Sequence, residues 1–314
     1  MIKDLKLWRF VEETLAEGRP VALLVVTASW GSSPGRRGFK MAVSRDAFEG
    51  SIGGGVMEVS LAEEARLLVT DGAEFESVQK KQVHRKASEA ASGMICSGEQ
   101  TVFRKVLLPQ DLPAVRECIV AERDGAHRVL ELGPELFLLS NPDSSRSDSA
   151  IYRESIGVSD ELTIVGGGHC SLALSKLMSD LGFRVKVFDD RPGLSTLEGN
   201  TYADRIEVID EYSRIAEQIA GGPRSYVAVM TIGFVHDKVV IRELIDKEFA
   251  YFGVLGSKAK MAVLLKELEE EGVDKNKLRR IRTPIGLKIN SRTPEEIAVS
   301  IAAEIISIKN KALI

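Results

Sequence analysis

The sequence predicts a two-domain α/β chain whose second domain is built on a parallel sheet. Three observations predict it. A run of three glycines, Gly166-Gly167-Gly168, stands between a short apolar run and a helical pattern. From there to the C-terminus, strand-like and helix-like segments alternate. Before it, the polar, turn-rich stretch Asn141-Pro-Asp-Ser-Ser-Arg-Ser-Asp-Ser149 separates this half from a first half of different pattern.

The glycine run organises the second half. Leu162 to Val165 suits a buried parallel strand. Ser171 to Leu181 has helical spacing, with Leu174, Leu177 and Leu181 on one face. Arg184 to Phe188 alternates like a strand and ends in Asp189-Asp190. Strand, glycine turn, helix and strand in this order are the setting of a dinucleotide-binding turn, the start of a Rossmann-type unit. Gly166 allows the tight turn. Gly168 lets a pyrophosphate approach the backbone at the helix N-terminus. Ser171 stands where a third glycine is usual. Asp189, about 20 residues beyond the turn, is placed to accept from a ribose hydroxyl, which favours NAD over NADP. His169, inside the turn, either contacts a ligand or lines the loop. The bland alternative is a tight strand-to-helix turn with no nucleotide role.

Length and composition narrow the classes. A chain of 314 residues suits two domains with ample core. The net charge is −4 and no basic stripe stands out, which argues against nucleic acid as partner. No apolar run approaches the roughly 20 residues that span a bilayer. The start, MIKDLKLWRF, is charged and amphipathic, unlike a signal peptide. Cys96, Cys118 and Cys170 are odd in number, widely spread and outside any CxxC pattern, so neither a disulfide framework nor a zinc site is expected. The expected setting is a reducing cytoplasm.

The first half reads in order. Leu7, Val11 and Leu15 mark a helix that Gly18 and Pro20 end. Val21 to Thr27 is a buried strand. Ala28 to Gly38 is a loop rich in glycine, serine and arginine, suited to an oxyanion or simply solvated. Phe39 to Val43 and Gly50 to Ile52 are strands. Gly53-Gly54-Gly55 opens a helix from Val56 to Leu68, a second candidate anion cradle. Glu58, in that helix's first turn, either complements the helix dipole or accepts from a ligand's amide edge. Cys96 sits in the turn Ser92 to Gly98, before the strand Thr101 to Leu107. It is either a small buried hydrophobe or a functional thiol. Cys118 belongs to the Ala114 to Glu122 helix and is expected in the core. Val129 to Leu132 and Glu135 to Leu139 form a closing hairpin.

The second half continues with strands at Arg205 to Ile209, Tyr226 to Thr231 and Ala250 to Leu255. Helices lie at Tyr212 to Ile219, Asp237 to Glu248 and Lys258 to Glu270. In such a sheet ligands bind beyond the carboxyl ends of the strands, where Thr231, Gly233, Gly256, Ser257 and Lys258 fall. Thr293-Pro-Glu-Glu starts a last apolar helix, with Thr293 as cap and Pro294 in the first position. His84, His127 and His236 are isolated, and no HExxH or nucleophile elbow appears.

These blocks together resemble the XdhC/CoxI family, accessory proteins of molybdenum-cofactor enzymes such as xanthine dehydrogenase. The resemblance rests on Gly31-Ser-Ser-Pro34, Lys40-Met41, Gly50-Ser-Ile-Gly-Gly-Gly55 with Glu58, and Met94-Ile-Cys-Ser-Gly98 in the first half. In the second half it rests on Gly166-Gly-Gly-His169, Asp189-Asp-Arg191, Gly253-Val-Leu-Gly-Ser257, Pro284-Ile-Gly-Leu287 and Thr293-Pro-Glu-Glu-Ile-Ala298. It implies an N-terminal α+β XdhC/CoxI-like domain over 1–140, a linker over 141–160 and a Rossmann-type parallel-sheet domain over 161–314.

The resemblance implies a role in maturation rather than catalysis. The cargo would be the molybdenum cofactor (molybdopterin), held by Ser32, Ser33, Lys40, Gly53, Gly54, Gly55, Glu58 and Cys96. Gly166, Gly168, His169, Asp189, Gly256 and Ser257 would hold a nucleotide: NAD(P), the cofactor's own tail, or neither. The implied partners are a xanthine dehydrogenase-like molybdenum hydroxylase as client and a cysteine desulfurase-type sulfur donor. A homodimer is compatible with the sequence, though no residue shows one. The chain departs from many relatives at Val56-Met57, where they carry a cysteine, at His236, which is displaced, and at Ser97, which replaces a glycine beside Cys96. The alternative function is an NAD(P)-dependent oxidoreductase; against it, no Tyr–Lys or His–Asp catalytic pair has a recognisable spacing.

Overall fold

The computed structural model describes residues 4–71, 78–83, 98–135 and 137–311, and the chain divides into two compact units between Val158 and Ser159. In the first unit the order is α1 (Leu5–Ala16), β1 (Val21–Gly31), β2 (Lys40–Val43), β3 (Phe48–Gly50), α2 (Gly55–Asp71), β4 (Val78–Val83), β5 (Gly98–Leu107), α3 (Leu112–Asp124), β6 (Arg128–Leu132), β7 (Phe137–Ser140) and β8 (Tyr152–Ile156). An antiparallel sheet runs β3-β2-β1-β5-β4, and a smaller antiparallel sheet runs β7-β6-β8.

Strand β1 is apolar from Val21 to Val26 because both of its faces are covered. Val21, Leu23 and Val25 meet Leu7, Trp8, Val11 and Leu15 of α1 and Val115 and Cys118 of α3. Ala22, Leu24 and Val26 meet Leu61, Ala62, Ala65 and Val69 of α2. The period-two alternation of a strand thus divides its side chains between two cores. Cys118 is fully buried, as expected, and burial pushes its thiol up.

Two expectations are corrected here. Ala28 to Gly31, expected as loop, continues β1 past a register shift at Val26/Ala28 and pairs with Gly98–Thr101. The expected linker over 141–160 contributes β8, which pairs with β6. Its Tyr152 and Ile156 are buried in the first core, so this apolar pair outweighs the polar stretch before it.

The second unit runs β9 (Glu161–Val165), α4 (His169–Asp180), β10 (Arg184–Asp189), α5 (Ser195–Glu198), β11 (Arg205–Val208), α6 (Ile215–Gln218), β12 (Gly222–Val229), α7 (Phe234–Leu244), β13 (Phe249–Val254), α8 (Lys258–Glu270), α9 (Lys275–Leu278) and α10 (Pro294–Lys311). All five strands are parallel, in the order β11-β10-β9-β12-β13. The order reverses between β9 and β12, which makes their carboxyl ends the switch point of a doubly wound sheet. One face packs on α6, α7, α8 and α9, the other on α4, α5 and α10. The expected helix Tyr212 to Ile219 is a 3-10 turn at Tyr212–Arg214 followed by the short α6. The start of α10 is a capping box: the Thr293 hydroxyl accepts from the Glu296 N–H at 3.2 Å, and Glu296 Oε2 accepts from the Thr293 N–H at 3.2 Å. No described helix is long and apolar enough to cross a membrane.

Candidate functional site

In the first unit the glycine-rich segments pack backbone against backbone. The Gln100 side chain, buried in β5, joins them. Its Oε1 accepts from the Ser33 hydroxyl at 2.8 Å and the Gly35 N–H at 3.0 Å, and its Nε2 donates to the Ile52 carbonyl at 3.3 Å. A Cβ on Gly35 would collide with the Ile52 carbonyl oxygen, and one on Gly53 would lie 2.5 Å from the Gly35 nitrogen. One on Gly98 would collide with the Ser33 nitrogen. These glycines are required by each other.

Gly53, Gly54 and Gly55 all have positive φ, and Glu58 closes the turn they form. Its Oε2 accepts from the Ser51 hydroxyl at 2.7 Å and from the N–H groups of Ile52 and Gly54, each at 2.8 Å. Partial burial alone would raise its pKa, but the hydrogen bonds from Ser51, Gly54, Ile52 and Gly53 hold the carboxyl below its ordinary range. The expectation that Glu58 presents an acceptor to a ligand is therefore corrected for Oε2, which is filled by the turn itself.

Lys40 is also corrected. Its ammonium is sealed from solvent and donates to Asp4 Oδ2 at 2.6 Å and to the Gly38 carbonyl at 3.1 Å, and it pairs with Glu154 Oε1 at 2.7 Å. Burial alone would lower its pKa; the charges of Glu154 and Asp4 outweigh it and raise the pKa. This triad ties β2 to β8 and to the residue before α1. Ser32 and the loop arginines lie at the surface, while Ser33 is buried. Arg36 donates to the Gly31 carbonyl at 3.1 Å, and Arg37 donates to the Arg153 carbonyl at 3.1 Å. Cys96, with its block Met94 to Ser97, and His84 lie outside the described residues.

In the second unit the glycine turn sits at the switch point. A Cβ on Gly166, whose φ is +114°, would collide with the Met230 carbonyl at the end of β12. One on Gly167 would strike the Leu197 side chain. Gly168 differs: it has an ordinary φ of −72°, and nothing lies within 4 Å of where its Cβ would be. The first N–H bonded within α4 is that of Leu172, to the Gly168 carbonyl. The N–H groups of His169, Cys170 and Ser171 thus have no intrahelical acceptor. His169 is exposed, and Ser171 is buried in the position of the usual third glycine. Burial pushes the half-buried Cys170 thiol up, and nearby Glu295 adds to this.

Asp189 is fully buried and already occupied. It accepts from the Gly167 N–H at 2.6 Å, the Arg191 N–H at 2.9 Å, and Arg191 Nε and Nη2 at 2.8 and 2.6 Å. Burial would raise its pKa, but the hydrogen bonds from Arg191 and Gly167 lower it. The expectation that it accepts from a ribose is corrected: this carboxylate braces the turn. Its neighbour Asp190 is the more open acid, with a side chain 23% exposed. Asp190 Oδ1 accepts from the Tyr212 hydroxyl at 3.2 Å, and His236 Nδ1 lies 3.8 Å from Oδ2. The Tyr212 and His236 rings are 5.4 Å apart.

Asp237, in the first turn of α7, accepts from the Thr231 hydroxyl at 2.6 Å; burial raises its pKa despite that bond and the nearby cations. Ser257 caps α8, accepting from the Lys260 N–H at 3.3 Å, and a Cβ on Gly256 would meet the end of the Met261 side chain. Gly256 and Ser257, both expected to meet a nucleotide, thus have local structural reasons.

Sequence reasoning missed Gln100 and Tyr212, and it read His236 as isolated, whereas its ring lies beside Tyr212 and Asp190. Period two could have separated the two aspartates: Asp189 shares a face with Val185 and Val187, on the α4 side, and Asp190 shares one with Phe188. No group of three or more potential metal ligands occurs among the described residues.

Residues 14–79 match the XdhC and CoxI family, and residues 162–305 match the XdhC Rossmann domain. A protein of Bacillus subtilis (strain 168) named as a probable xanthine dehydrogenase subunit is 31% identical over 153 residues, 49% of this chain and 44% of that protein. An uncharacterized protein YqeB of Escherichia coli (strain K12) is 28% identical over 166 residues, 50% of this chain and 28% of that protein. The matched regions therefore span less than half of each relative's length. The crystal structure of a xanthine dehydrogenase from Bacillus halodurans has the same fold, with a TM-score of 0.77 at 22% identity over 99% of this chain and 96% of that one. With one family's two models matched in order along the two units, the chain belongs to the XdhC and CoxI family.

Proposed function

We propose that this chain is an accessory protein for a xanthine dehydrogenase-type molybdenum hydroxylase. It binds the molybdenum cofactor as cargo and assists its sulfuration and insertion; the client enzyme carries out the oxidation. The observation that carries this reading is the ordered match of both units to the family's models. The name of the Bacillus subtilis relative, which makes it a probable part of a xanthine dehydrogenase, points to the same client.

The first unit's geometry fits an anionic cargo at its rim. Ser32 is exposed there, and Gly54 faces open space with a positive φ. Beneath them, the Gln100 and Glu58 networks hold the loops rigid before any ligand arrives. Lys40, Ser33 and Glu58 support the rim in this reading, and Ser32 and the turn backbone meet the phosphate. The family resemblance assigns Cys96 as the thiol nearest the sulfur chemistry, with a cysteine desulfurase-type protein as donor. The second unit supplies a nucleotide site at the first turn of α4.

The test is co-elution of the purified chain with cofactor freshly released from a molybdoenzyme, read by bound molybdenum. Bound molybdenum is expected, reduced in Cys96→Ala and Ser32→Ala. A deletion strain is expected to lose molybdenum hydroxylase activity. Absence of binding together with full activity in the deletion strain would refute the reading.

A further inference from the structure

We propose that Trp30 is the platform on which the flat pterin ring of the cargo stacks, with Arg36 beside it for the anionic end. This inference rests on the reading of the first unit as the cofactor site, and it names the side chain that meets the ring.

A bulge aims Trp30. Strand β1 faces α2 with Ala22, Leu24 and Val26. Period two alone would put Ala28 and Trp30 on that face as well. The register shift after Val26 prevents it: Val26 pairs with Val102, and Ala28 pairs with the adjacent residue of β5, Thr101. Thr27 is the extra residue, and its hydroxyl donates to the Thr101 carbonyl at 3.2 Å. Beyond it the faces are exchanged. Ser29 pairs with Gln100, the residue that ties the loops together, and Trp30 stands on the opposite face across from Glu99. Bulges that re-aim one side chain are over-represented beside functional sites.

The fold does not use the indole it aims. Trp30 is 54% exposed, and it belongs to neither core of this unit. It is two residues from Ser32, the exposed serine of the proposed phosphate rim. The backbone under it is fixed without a ligand, since β1 and β5 pair as far as Gly31 and Gly98, and Gln100 holds Ser33 and Gly35 just beyond. A rigid, exposed aromatic side chain binds a flat ring at little cost in conformational entropy.

The charges around it select the kind of ring. Arg36 Nη1 donates to the carbonyl of Gly31, the residue next to Trp30. A guanidinium has five N–H donors, so this bond positions it and leaves others for an anion. Glu99, across the strand on Trp30's own face, gives the platform an acidic edge. A ring with an amino edge and a phosphate tail matches an acid on one side and a cation on the other, which is the chemistry of a pterin phosphate.

The experiment is anaerobic titration of the full chain with cofactor released from a molybdoenzyme, read in two ways. The chain has two tryptophans and Trp8 is fully buried, so iodide quenching of the intrinsic fluorescence reports Trp30. Saturating cofactor should shield Trp30 from iodide, while AMP, a flat ring with a phosphate but no pterin, should leave the quenching unchanged. Read by bound molybdenum, affinity should fall about tenfold in Trp30→Ala and Trp30→Leu and stay within about threefold of wild type in Trp30→Phe. All three variants should melt within about 2 °C of wild type, because the side chain lies outside the cores. Full affinity in Trp30→Ala or Trp30→Leu, or unchanged iodide access in the complex, overturns the inference. Shielding by AMP equal to that by cofactor also overturns it, since the platform would then take a nucleobase. A wild-type chain that binds no molybdenum sinks the cofactor reading and this inference with it; binding that is indifferent to Trp30 sinks this inference alone.

Discussion

Replacing Lys40 with methionine separates a structural role from a binding one. Methionine keeps most of the stem's volume and removes the charge. The ammonium is 1% exposed, and its partners Asp4 and Glu154 have side chains 20% and 18% exposed. Removing one member of a fully buried ion pair costs about 3–5 kcal/mol, because the remaining charge is stranded. Here two carboxylates are stranded near each other, but each keeps some contact with water, which brings the expected cost to about 2–4 kcal/mol. For a unit of this size that lowers the melting temperature by roughly 5–15 °C. Lys40's folded pKa is raised, so its contribution is complete below the unfolded value near about 10.4 and is lost only as pH rises through the folded value. The deficit should thus hold steady from about pH 6 to about pH 9 within about 1 kcal/mol. Circular-dichroism melts of wild type, Lys40→Met, Glu154→Gln and the double variant provide the test. The double variant should recover part of the Lys40→Met loss, since one stranded charge is gone. A Lys40→Met protein that melts within about 2 °C of wild type would refute the triad argument, and cargo binding by that lysine would then need another look.

The glycines give contrasting outcomes. Gly35→Ala must push its Cβ into the Ile52 carbonyl and should cost about 2–3 kcal/mol in urea denaturation, against about 1–2 kcal/mol for Gly54→Ala, which faces only the left-handed backbone penalty. At the second turn, Gly166→Ala should be poorly tolerated, whereas Gly168→Ala should cost under about 1 kcal/mol yet block a pyrophosphate. Calorimetry that finds nucleotide binding unchanged in Gly168→Ala would remove that glycine from the site. Asp189 has a depressed pKa, so it stabilises the fold above the unfolded value of about 3.9 and the contribution is lost as pH falls through the folded value. The gap in melting temperature between wild type and Asp189→Asn should therefore be full above about pH 5 and narrow below about pH 4.

Much of the second unit was legible because each strand and helix there obeys one period, and the glycine run marks where the chain turns. The burial of β9 needs no tertiary knowledge: Leu162, Thr163, Ile164 and Val165 are apolar or small because helices cover both faces. The first unit was less legible. Strand β8 is short and follows a polar stretch, so only its pairing with β6 reveals it. Lys40 entered the expected cofactor set through the family resemblance, and the sequence does not show the Asp4 and Glu154 that surround it from distant positions. Gln100 was invisible for the same reason: its three partners lie 48 to 67 residues away.

The two glycine turns share a device that changes what each can bind. Glu58 takes the N–H groups of Ile52 and Gly54, and Asp189 takes that of Gly167. A glycine run reads as a row of donors awaiting an anion, yet in both units the chain's own carboxylate has claimed part of the row. The internal anion preorganises the turn without a ligand, and it also places negative charge beneath it. In the proposed reading a phosphate would sit on what the carboxylates leave: the open rim around Ser32 and Gly54 in the first unit, and the His169 to Ser171 N–H groups in the second. This explains why the sequence pattern located both glycine turns but not what their acids already hold. An acid that the fold brings beside a glycine turn, from 4 residues away for Glu58 and 22 for Asp189, braces it, and a ligand is left with the groups that the turn does not need.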